Sequence, residues 1–294
     1  MSSIRSTFRP APATEAPDWT AAETAVILVG HGSSRVAEAV LGLDRLAAVL
    51  QAREGYAEVA VATLHGLGQR PADVIAAIAH ARAFVVPVMM CDGQTVQRDL
   101  PAALNGHGPL RLRFCQPVGT HPGLAALIAE RAVQQATLRN LHPAQTGLLL
   151  IAHGSTKSSG SEQATLLQIG RLAAMNLFRE VAPAYLEQTP SIVDAIRRMG
   201  PPVIAVGLFA AEGRHATVDV EAALAMTGRP DVTYLGAIGT DLGMAQLVAA
   251  VIRSAAPAAD ERMPGPAVNH HPRQPVDEVA RPSRHGLVRD CSGI

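Results

Sequence analysis

Short apolar runs alternate with stretches of helical spacing through the middle of the chain. Ala25–Gly30 (AVILVG) and Gly147–Ala152 (GLLLIA) are continuously apolar, as strands buried on both faces are. After the first run, apolar side chains recur at the spacing of one helical face, at Val36, Val40, Leu43, Leu46 and Leu50. This alternation predicts an α/β fold in which helices cover parallel sheets.

The same two patterns predict the remaining elements. Further strands are expected at Val59–Leu64, Phe84–Met90, Leu112–Val118, Val181–Leu186, Val203–Ala210 and Val232–Ile238. Further helices are expected from Pro71, from about Thr120, over Leu166–Phe178, over Pro190–Met199 and after Thr240. Pro71 and Pro190 are assigned to the first turn of their helices, where the missing backbone N–H removes no hydrogen bond.

Three motifs occur twice, in the same order and at a nearly constant offset of about 120 residues. They are VGHGSS and IAHGST (29–34 and 151–156), GQTVQRDL and GRHATVDV (93–100 and 213–220), and VGTHPG and IGTDLG (118–123 and 238–243). The repeat predicts a tandem duplication into two similar lobes over residues 24–142 and 143–254, each a doubly wound parallel sheet. Ligands of such sheets bind at the carboxyl ends of the strands.

The two ends of the chain differ from this pattern. Residues 1–23 are rich in Ser, Ala, Pro and Thr, and residues 255–294 are rich in Pro, Arg and Asp, without helical or strand periodicity. Such segments bury too little apolar surface to offset their ordering entropy, so both are predicted to be disordered tails. The tail histidines His270, His271 and His285 either bind metal loosely or are solvated side chains.

Composition excludes several classes of function. The chain has 294 residues with 25 basic and 25 acidic side chains and 3% aromatic residues, which argues against nucleic-acid binding. No apolar run approaches the roughly 18 residues of a membrane span. Its three cysteines form no CxxC pair, and residues 1–23 lack the apolar segment of a secretory signal. These observations predict a cytoplasmic protein without a membrane or nucleic-acid partner.

Histidines follow the first predicted strand of each copy. His31 and His153 are each followed by Gly and two hydroxyl residues, at the start of the next predicted helix, where an anion is favoured. One interpretation is that these residues belong to a functional site at the strand ends. The alternative is a structural histidine that hydrogen-bonds at the end of its strand.

The two copies differ at the positions that would share this edge. His215, after the third strand of the second copy, corresponds to Thr95 in the first, and Glu187, after the second strand, corresponds to His65. Because adjacent parallel strands end at one edge, the second copy brings together His153, His215 and Glu187, whereas the first offers His31 and His65 with Thr95, a poorer set of ligands. Two neutral imidazoles and a carboxylate suit a divalent cation such as cobalt, ferrous iron, nickel or zinc. Imidazole is also a proton acceptor near neutral pH.

Residues 24–253 resemble the class II chelatases, which insert cobalt or iron into sirohydrochlorin during cobalamin and siroheme synthesis. The resemblance is carried by three elements: HGSSR at His31–Arg35 with HGST at His153–Thr156, Gly213-Arg214-His215 followed by Asp219, and Leu186-Glu187 followed by Thr189-Pro190-Ser191.

The resemblance implies a lyase of two lobes with the tetrapyrrole substrate between them. It implies His153 and His215 as the catalytic residues that bind the metal substrate, Co²⁺ or Fe²⁺, with His31 as an accessory residue of the first lobe. The residue types add Glu187 as a third candidate metal ligand. The substrate carries many carboxylates, for which Arg35, Ser155, Lys157 and Arg214 are candidate partners. The alternative is that Arg35, Lys157 and Arg214 are ordinary solvated side chains.

Metal insertion needs no nucleotide cofactor, and the chain has no GxxxxGK[ST] motif. Two further functions remain open. A carrier would bind metal or tetrapyrrole without turnover. A histidine phosphotransfer enzyme would have arginine before the histidine, where this chain has Gly30 and Ala152, which ranks this reading last. Two pseudo-symmetric lobes are compatible with a monomer, and the sequence leaves the oligomeric state open.

Overall fold

Two parallel four-stranded sheets, one in each half of the chain, form the framework of the computed structural model, which describes residues 19–32, 38–105, 109–155 and 159–255. The first sheet has the order β2-β1-β3-β4, with β1 at Ala25–Gly30, β2 at Glu58–Thr63, β3 at Arg82–Pro87 and β4 at Arg111–Phe114. The second repeats this order as β6-β5-β7-β8, with β5 at Gly147–Ala152, β6 at Glu180–Tyr185, β7 at Val203–Gly207 and β8 at Val232–Ala237. The predicted fold of two duplicated parallel-sheet lobes is confirmed.

Helices cover the sheets. They are α1 (Glu38–Glu54), α2 (Pro71–Ala77), α3 (Leu100–Ala103), α4 (Pro122–Leu138), α5 (Gly160–Ala174), α6 (Ile192–Arg198), α7 (Val220–Ala225) and α8 (Met244–Ser254). On the predicted face of α1, Leu43 and Leu50 are buried, Val40 and Leu46 are half-buried, and Val36 lies outside the described residues. Among the helices in the described ranges, none has the length and apolar character of a membrane span.

Several predicted boundaries are wrong, for local reasons. Strand β3 begins and ends earlier than Phe84–Met90, and Val118 starts a 3-10 turn after the short strand β4. Helix α5 ends at Ala174 because Asn176 adopts a φ of 52°, which ends a helix. Pro190 precedes α6 instead of opening it, because Ser191 is the N-cap and its hydroxyl accepts the N–H of Asp194 at 3.1 Å.

Of the two predicted tails, the structure describes only residues 19–23 and 255. Trp19 packs against Phe84, with ring centroids 4.9 Å apart, and Ala21–Glu23 forms a 3-10 turn before β1. Residues 19–23 therefore belong to the folded part of the chain. The tail histidines His270, His271 and His285 lie outside the described residues.

The last helix of each half packs against the other half. Helix α4 follows β4 of the first sheet but contacts β7, α5 and α8, whereas α8 follows β8 of the second sheet and contacts β3, α1 and α4. The inner faces of both sheets therefore bury into one continuous apolar core, to which Leu28, Phe84, Leu150 and Ile204 all belong. Only the outer faces of the two sheets have separate apolar cores.

The third repeated motif (118–123 and 238–243) contacts both α4 and α8, the helices that pack against the opposite half. His121 caps α4, its Nδ1 accepting the N–H of Gly123 at 3.0 Å, and its Nε2 lies 3.2 Å from the Ser254 hydroxyl at the end of α8. At the equivalent position Asp241 accepts the N–H of Gly243 at 2.6 Å and pairs with Arg131 of α4. Each capping side chain thus also contacts the helix of the other half.

Candidate active site

Three predicted site residues meet at the carboxyl edge of the second sheet. Strand β5 lies between β6 and β7, and His153, Glu187 and His215 follow these three strands in turn. The rings of His153 and His215 lie edge to face with centroids 4.6 Å apart. Nε2 of His153 lies 3.7 Å from Oε1 of Glu187. The side chains of His153 and His215 are 38% and 53% exposed, so both are accessible to a ligand.

Hydrogen bonds define which ring nitrogens are free. Nδ1 of His153 lies 2.9 Å from the carbonyl oxygen of Gly154, and Nδ1 of His215 lies 2.8 Å from Oδ2 of Asp219. A carbonyl and a carboxylate oxygen are acceptors only, so each Nδ1 is the donor and carries the proton. In the neutral rings the lone pair is then on Nε2, the nitrogen available to bind a cation or accept a proton.

The single π-helical turn His215–Asp219 places the carboxylate of Asp219 next to the imidazole of His215. The N–H of Asp219 bonds to the carbonyl of Arg214, and Nε of Arg214 donates to Oδ1 of Asp219 at 3.3 Å. Partial desolvation acts to raise the pKa of Asp219, but hydrogen bonds from His215 and Arg214 outweigh it and hold this pKa below its usual range. Asp219 is therefore an ionised acceptor for His215, the arrangement that orients metal-binding histidines.

The spacing of the two imidazoles fits one shared cation. A cation bound about 2.0–2.1 Å from Nε2 lies about 3.2 Å from the centroid of that ring. When the Nε2–cation–Nε2 angle is about 90–109°, the centroids of the two rings are therefore about 4.5–5.2 Å apart. The observed separation of 4.6 Å lies within that interval. Within the described ranges no three or more His, Cys, Asp and Glu side chains converge as a closed metal site. The arrangement is a pair of imidazoles with Glu187 beside one of them.

The segment after His153 is held by its own neighbours. Gly154 has a φ of 74°, and a side chain there would crowd Tyr185 and Gln188. Gln188 accepts the N–H of Ser155 at 2.8 Å, and the Ser161 hydroxyl accepts the N–H of Gly154 at 3.2 Å. This packing fixes His153 relative to the strand β6 and its following loop.

The candidate substrate-binding residues lie in different surroundings. Ser155 is half-buried in the loop held by Gln188, and the side chain of Arg214 is 76% exposed although it pairs with Asp219. Arg35 and Lys157 lie outside the described residues. The structure thus places two of the four candidates at the edge that carries the His153–His215 pair.

The first sheet carries a different pair. His31 lies after β1, and its ring neighbour is His65, after β2, with centroids 5.0 Å apart. Thr95 begins the π-helical turn Thr95–Asp99 of the first lobe, as His215 does in the second. The predicted accessory residue His31 is thus paired within its own lobe.

Backbone packing brings the edges of the two lobes together. A Cβ at Gly160, the first residue of α5, would lie 3.6 Å from Cα of Gly93 in the loop before Thr95. The start of the second-lobe helix therefore lies against the loop at the strand ends of the first lobe.

Sequence reasoning missed the roles of two residues. It identified Asp219 as part of a motif but not as the partner of His215, and it did not single out Gln188. The four-residue spacing of His215 and Asp219 was the available signal, since such residues face each other on a helix.

Comparison with known proteins gives one match for each lobe. The model of the CbiX family matches residues 25–135 and 147–255. A probable sirohydrochlorin cobaltochelatase of Halobacterium salinarum is 26% identical over 145 residues, which make up 44% of this chain and 49% of that protein. The chain therefore spans about half the length of this curated relative.

Solved structures share the fold. CbiX, the terminal enzyme for biosynthesis of siroheme in denitrifying bacteria, matches with a TM-score of 0.65 and 27% identity over 79% of this chain and 99% of its own. SirB from Bacillus subtilis with Fe³⁺ matches with a TM-score of 0.67, 16% identity and coverage of 80% and 96%. SirB of the subspecies spizizenii in complex with cobalt gives 0.61, 17% identity and coverage of 80% and 95%.

Proposed function

The chain belongs to the CbiX family, and from this premise we propose that it is a chelatase that inserts a divalent metal ion into sirohydrochlorin or a related tetrapyrrole. The observation that carries the proposal is the His153–His215 pair, in which each Nδ1 faces a hydrogen-bond acceptor and the ring separation fits one shared cation. The pair lies at the carboxyl ends of the strands, where ligands of α/β sheets bind.

The reaction exchanges two protons for one metal ion. Two pyrrolic N–H bonds of the tetrapyrrole break, bonds between its nitrogens and the metal form, and two protons leave. The metal sheds its other ligands as the ring nitrogens replace them. Histidine suits both parts, because the Nε2 lone pair first binds the incoming cation and, once the cation has left, accepts a proton.

The two histidines have different neighbours, which suggests different roles. Asp219 fixes the orientation of the His215 ring through its Nδ1, so His215 is the better oriented of the two ligands. Glu187, 3.7 Å from Nε2 of His153, balances the charge of a bound cation or of protonated His153. We propose His153, His215 and Glu187 as the ligands of the metal substrate, with Glu187 joining after a small movement.

Polar groups near the pair are proposed to bind the carboxylates of the tetrapyrrole. Arg214 is exposed and adjoins His215, and Ser155 lies two residues after His153. A guanidinium group pairs with a carboxylate through two parallel hydrogen bonds. Arg35 and Lys157 remain predictions for the same role.

The closing test is an anaerobic insertion assay that follows the absorption change of sirohydrochlorin on adding Co²⁺ or Fe²⁺. We expect His215→Ala to abolish turnover and His31→Ala to slow it. Thr95→Ala is the matched control, because Thr95 holds the position of His215 in the first lobe, and it should retain full activity. Insertion no faster than the uncatalysed reaction with the unmodified protein would instead identify a carrier.

The same assay decides the metal. The curated relative is described as a cobaltochelatase and the CbiX structure as an enzyme of siroheme biosynthesis, so we propose both Co²⁺ and Fe²⁺ as candidate substrates. Imidazole and carboxylate ligands accept both ions. The ratio of kcat/KM for the two metals measures the preference.

A further inference from the structure

We propose that His31 and His65 form a second binding site for a divalent transition-metal cation, at the carboxyl edge of the first sheet. This first-lobe site is separate from the His153–His215 pair and needs no tetrapyrrole. Its existence therefore does not depend on the proposed chelatase activity.

The pair is not a partial copy of the second-lobe arrangement. His31 corresponds to His153, but His65 holds the place of Glu187 beside the central strand, and Thr95 holds the place of His215. The two imidazoles of the first lobe thus span β1 and β2, whereas those of the second lobe span β5 and β7. Decay of one ancestral metal site would account for the loss at position 95 but does not explain a second imidazole at position 65.

The ring spacing of the pair fits one cation. The ring centroids of His31 and His65 are 5.0 Å apart, within the interval of about 4.5–5.2 Å that a shared cation requires. Nδ1 of His31 lies 3.1 Å from the carbonyl of Gly32, so it is the donor and leaves the lone pair on Nε2. Both side chains are exposed, so a hydrated cation can reach them.

The backbone holds both residues in position before any ligand arrives. The N–H of His65 donates to the carbonyl of His31 at 3.0 Å. Gly32 has a φ of 81°, and a side chain there would overlap the carbonyl of His65. In the His65 loop, the Thr63 hydroxyl donates to the carbonyl of Leu67 at 2.7 Å. A cation would therefore bind without ordering this loop, which favours affinity.

The donor set indicates the class of metal and the order of affinities. Imidazole suits cobalt, nickel, copper and zinc, and is a poor ligand for magnesium or calcium. Each site has two imidazoles, but the second-lobe site also has Glu187 beside His153 and Asp219 orienting His215. We therefore expect the first-lobe site to bind Co²⁺ more weakly than the second-lobe site.

The experiment is a titration of the full chain with Co²⁺, followed by visible absorption and by calorimetry without tetrapyrrole. All proteins carry His270→Ala, His271→Ala and His285→Ala, which remove the tail histidines as ligands. We expect two Co²⁺ ions per chain. His65→Ala or His31→Ala should abolish the weaker Co²⁺-binding event and leave the stronger one. His215→Ala should abolish the stronger binding event and leave the weaker one.

Two further variants sharpen the result. His142→Ala removes an exposed histidine away from the strand ends and should leave both events unchanged. Thr95→His places an imidazole at the start of the first-lobe π-helical turn, four residues before Asp99, and should strengthen the weaker event by about tenfold or more. Circular dichroism checks that each variant is folded.

The proposal fails if the parent binds one Co²⁺, or if a folded His31→Ala or His65→Ala protein still binds two. Either result would leave the insertion assay of the proposed function untouched. Conversely, a protein that binds two Co²⁺ ions but inserts none would support the first-lobe site and overturn the chelatase proposal.

Discussion

Oδ2 of Asp219 lies 2.8 Å from Nδ1 of His215, so a carboxylate fixes the orientation and the tautomer of the imidazole that we propose as a metal ligand. The contact exists because a π-helical turn carries both residues. π-Helical turns are rare in proteins overall, but those that occur are frequently found at functional sites. The first lobe has the same turn and the same aspartate, Asp99, but a threonine in place of the histidine.

Replacing Asp219 should weaken the second-lobe site without removing a ligand. We expect Asp219→Asn to lower Co²⁺ affinity and the insertion rate at limiting metal by about 10–100-fold, because the ring of His215 loses its charged partner. Calorimetry and the insertion assay measure the two losses. Asp99→Asn is the matched control and should change neither, so equal losses in both variants would contradict this role.

Acid should destabilise the protein through His121. Burial, and then the charge of Arg171, lowers the pKa of His121 below its ordinary 6.5. The unfolded chain therefore binds a proton more readily, and the free energy of unfolding decreases as the pH falls from 6.5 through the lower folded pKa. The slope for one such group is at most about 1.4 kcal/mol per pH unit.

The variant His121→Asn isolates this contribution, because asparagine also caps helices but does not titrate. Denaturant unfolding at a series of pH values from 7.5 to 5 should give a flatter pH dependence for His121→Asn than for the unmodified protein. Parallel curves would show that another group is responsible.

Gly154 should not tolerate a side chain. We expect Gly154→Ala to lower the free energy of unfolding by about 1–2 kcal/mol, because its φ of 74° is unfavourable for alanine and its surroundings are crowded. Insertion activity should fall as well, since His153 precedes this residue. Gly170→Ala, in helix α5 with open space around it, should instead stabilise the protein by about 0.5–1 kcal/mol. In thermal unfolding, the melting temperature should be lower for Gly154→Ala and higher for Gly170→Ala than for the unmodified protein.

Asp241 should contribute to stability in two ways. It caps the segment before α8, and it accepts a hydrogen bond from Nη2 of Arg131 at 3.0 Å. We expect Asp241→Ala to lower the free energy of unfolding by about 1–2 kcal/mol, and Asp241→Asn, which keeps a capping oxygen, by about half as much. Asp73→Asn disrupts an exposed ion pair with Arg70 and should change stability little, so a similar loss there would argue against a special role for Asp241.

The first strand of each half, β1 and β5, could be predicted to the residue. Ala25–Gly30 and Gly147–Ala152 are apolar throughout and stop at a histidine, so their ends are distinct. Helices α3 and α7 could not be predicted, because both are short and continue from π-helical turns that have no periodicity of their own.

The site was partly predictable for a related reason. Adjacent parallel strands end at one edge, so the proximity of His153 to Glu187 and His215 follows once the strands are known. The orientation of each ring does not, because it depends on the backbone carbonyl of Gly154 and on Asp219. The partner of α4 was also beyond sequence reasoning, since an apolar helix face indicates burial but not against which sheet.

The exchange of α4 and α8 has a consequence for how this chain can change over generations. Each sheet relies on the opposite half for part of its covering, so deleting either half would expose apolar surface on the survivor. The first lobe is therefore needed as scaffolding whatever side chains stand at its strand ends, and Thr95 in place of a histidine leaves that role unchanged.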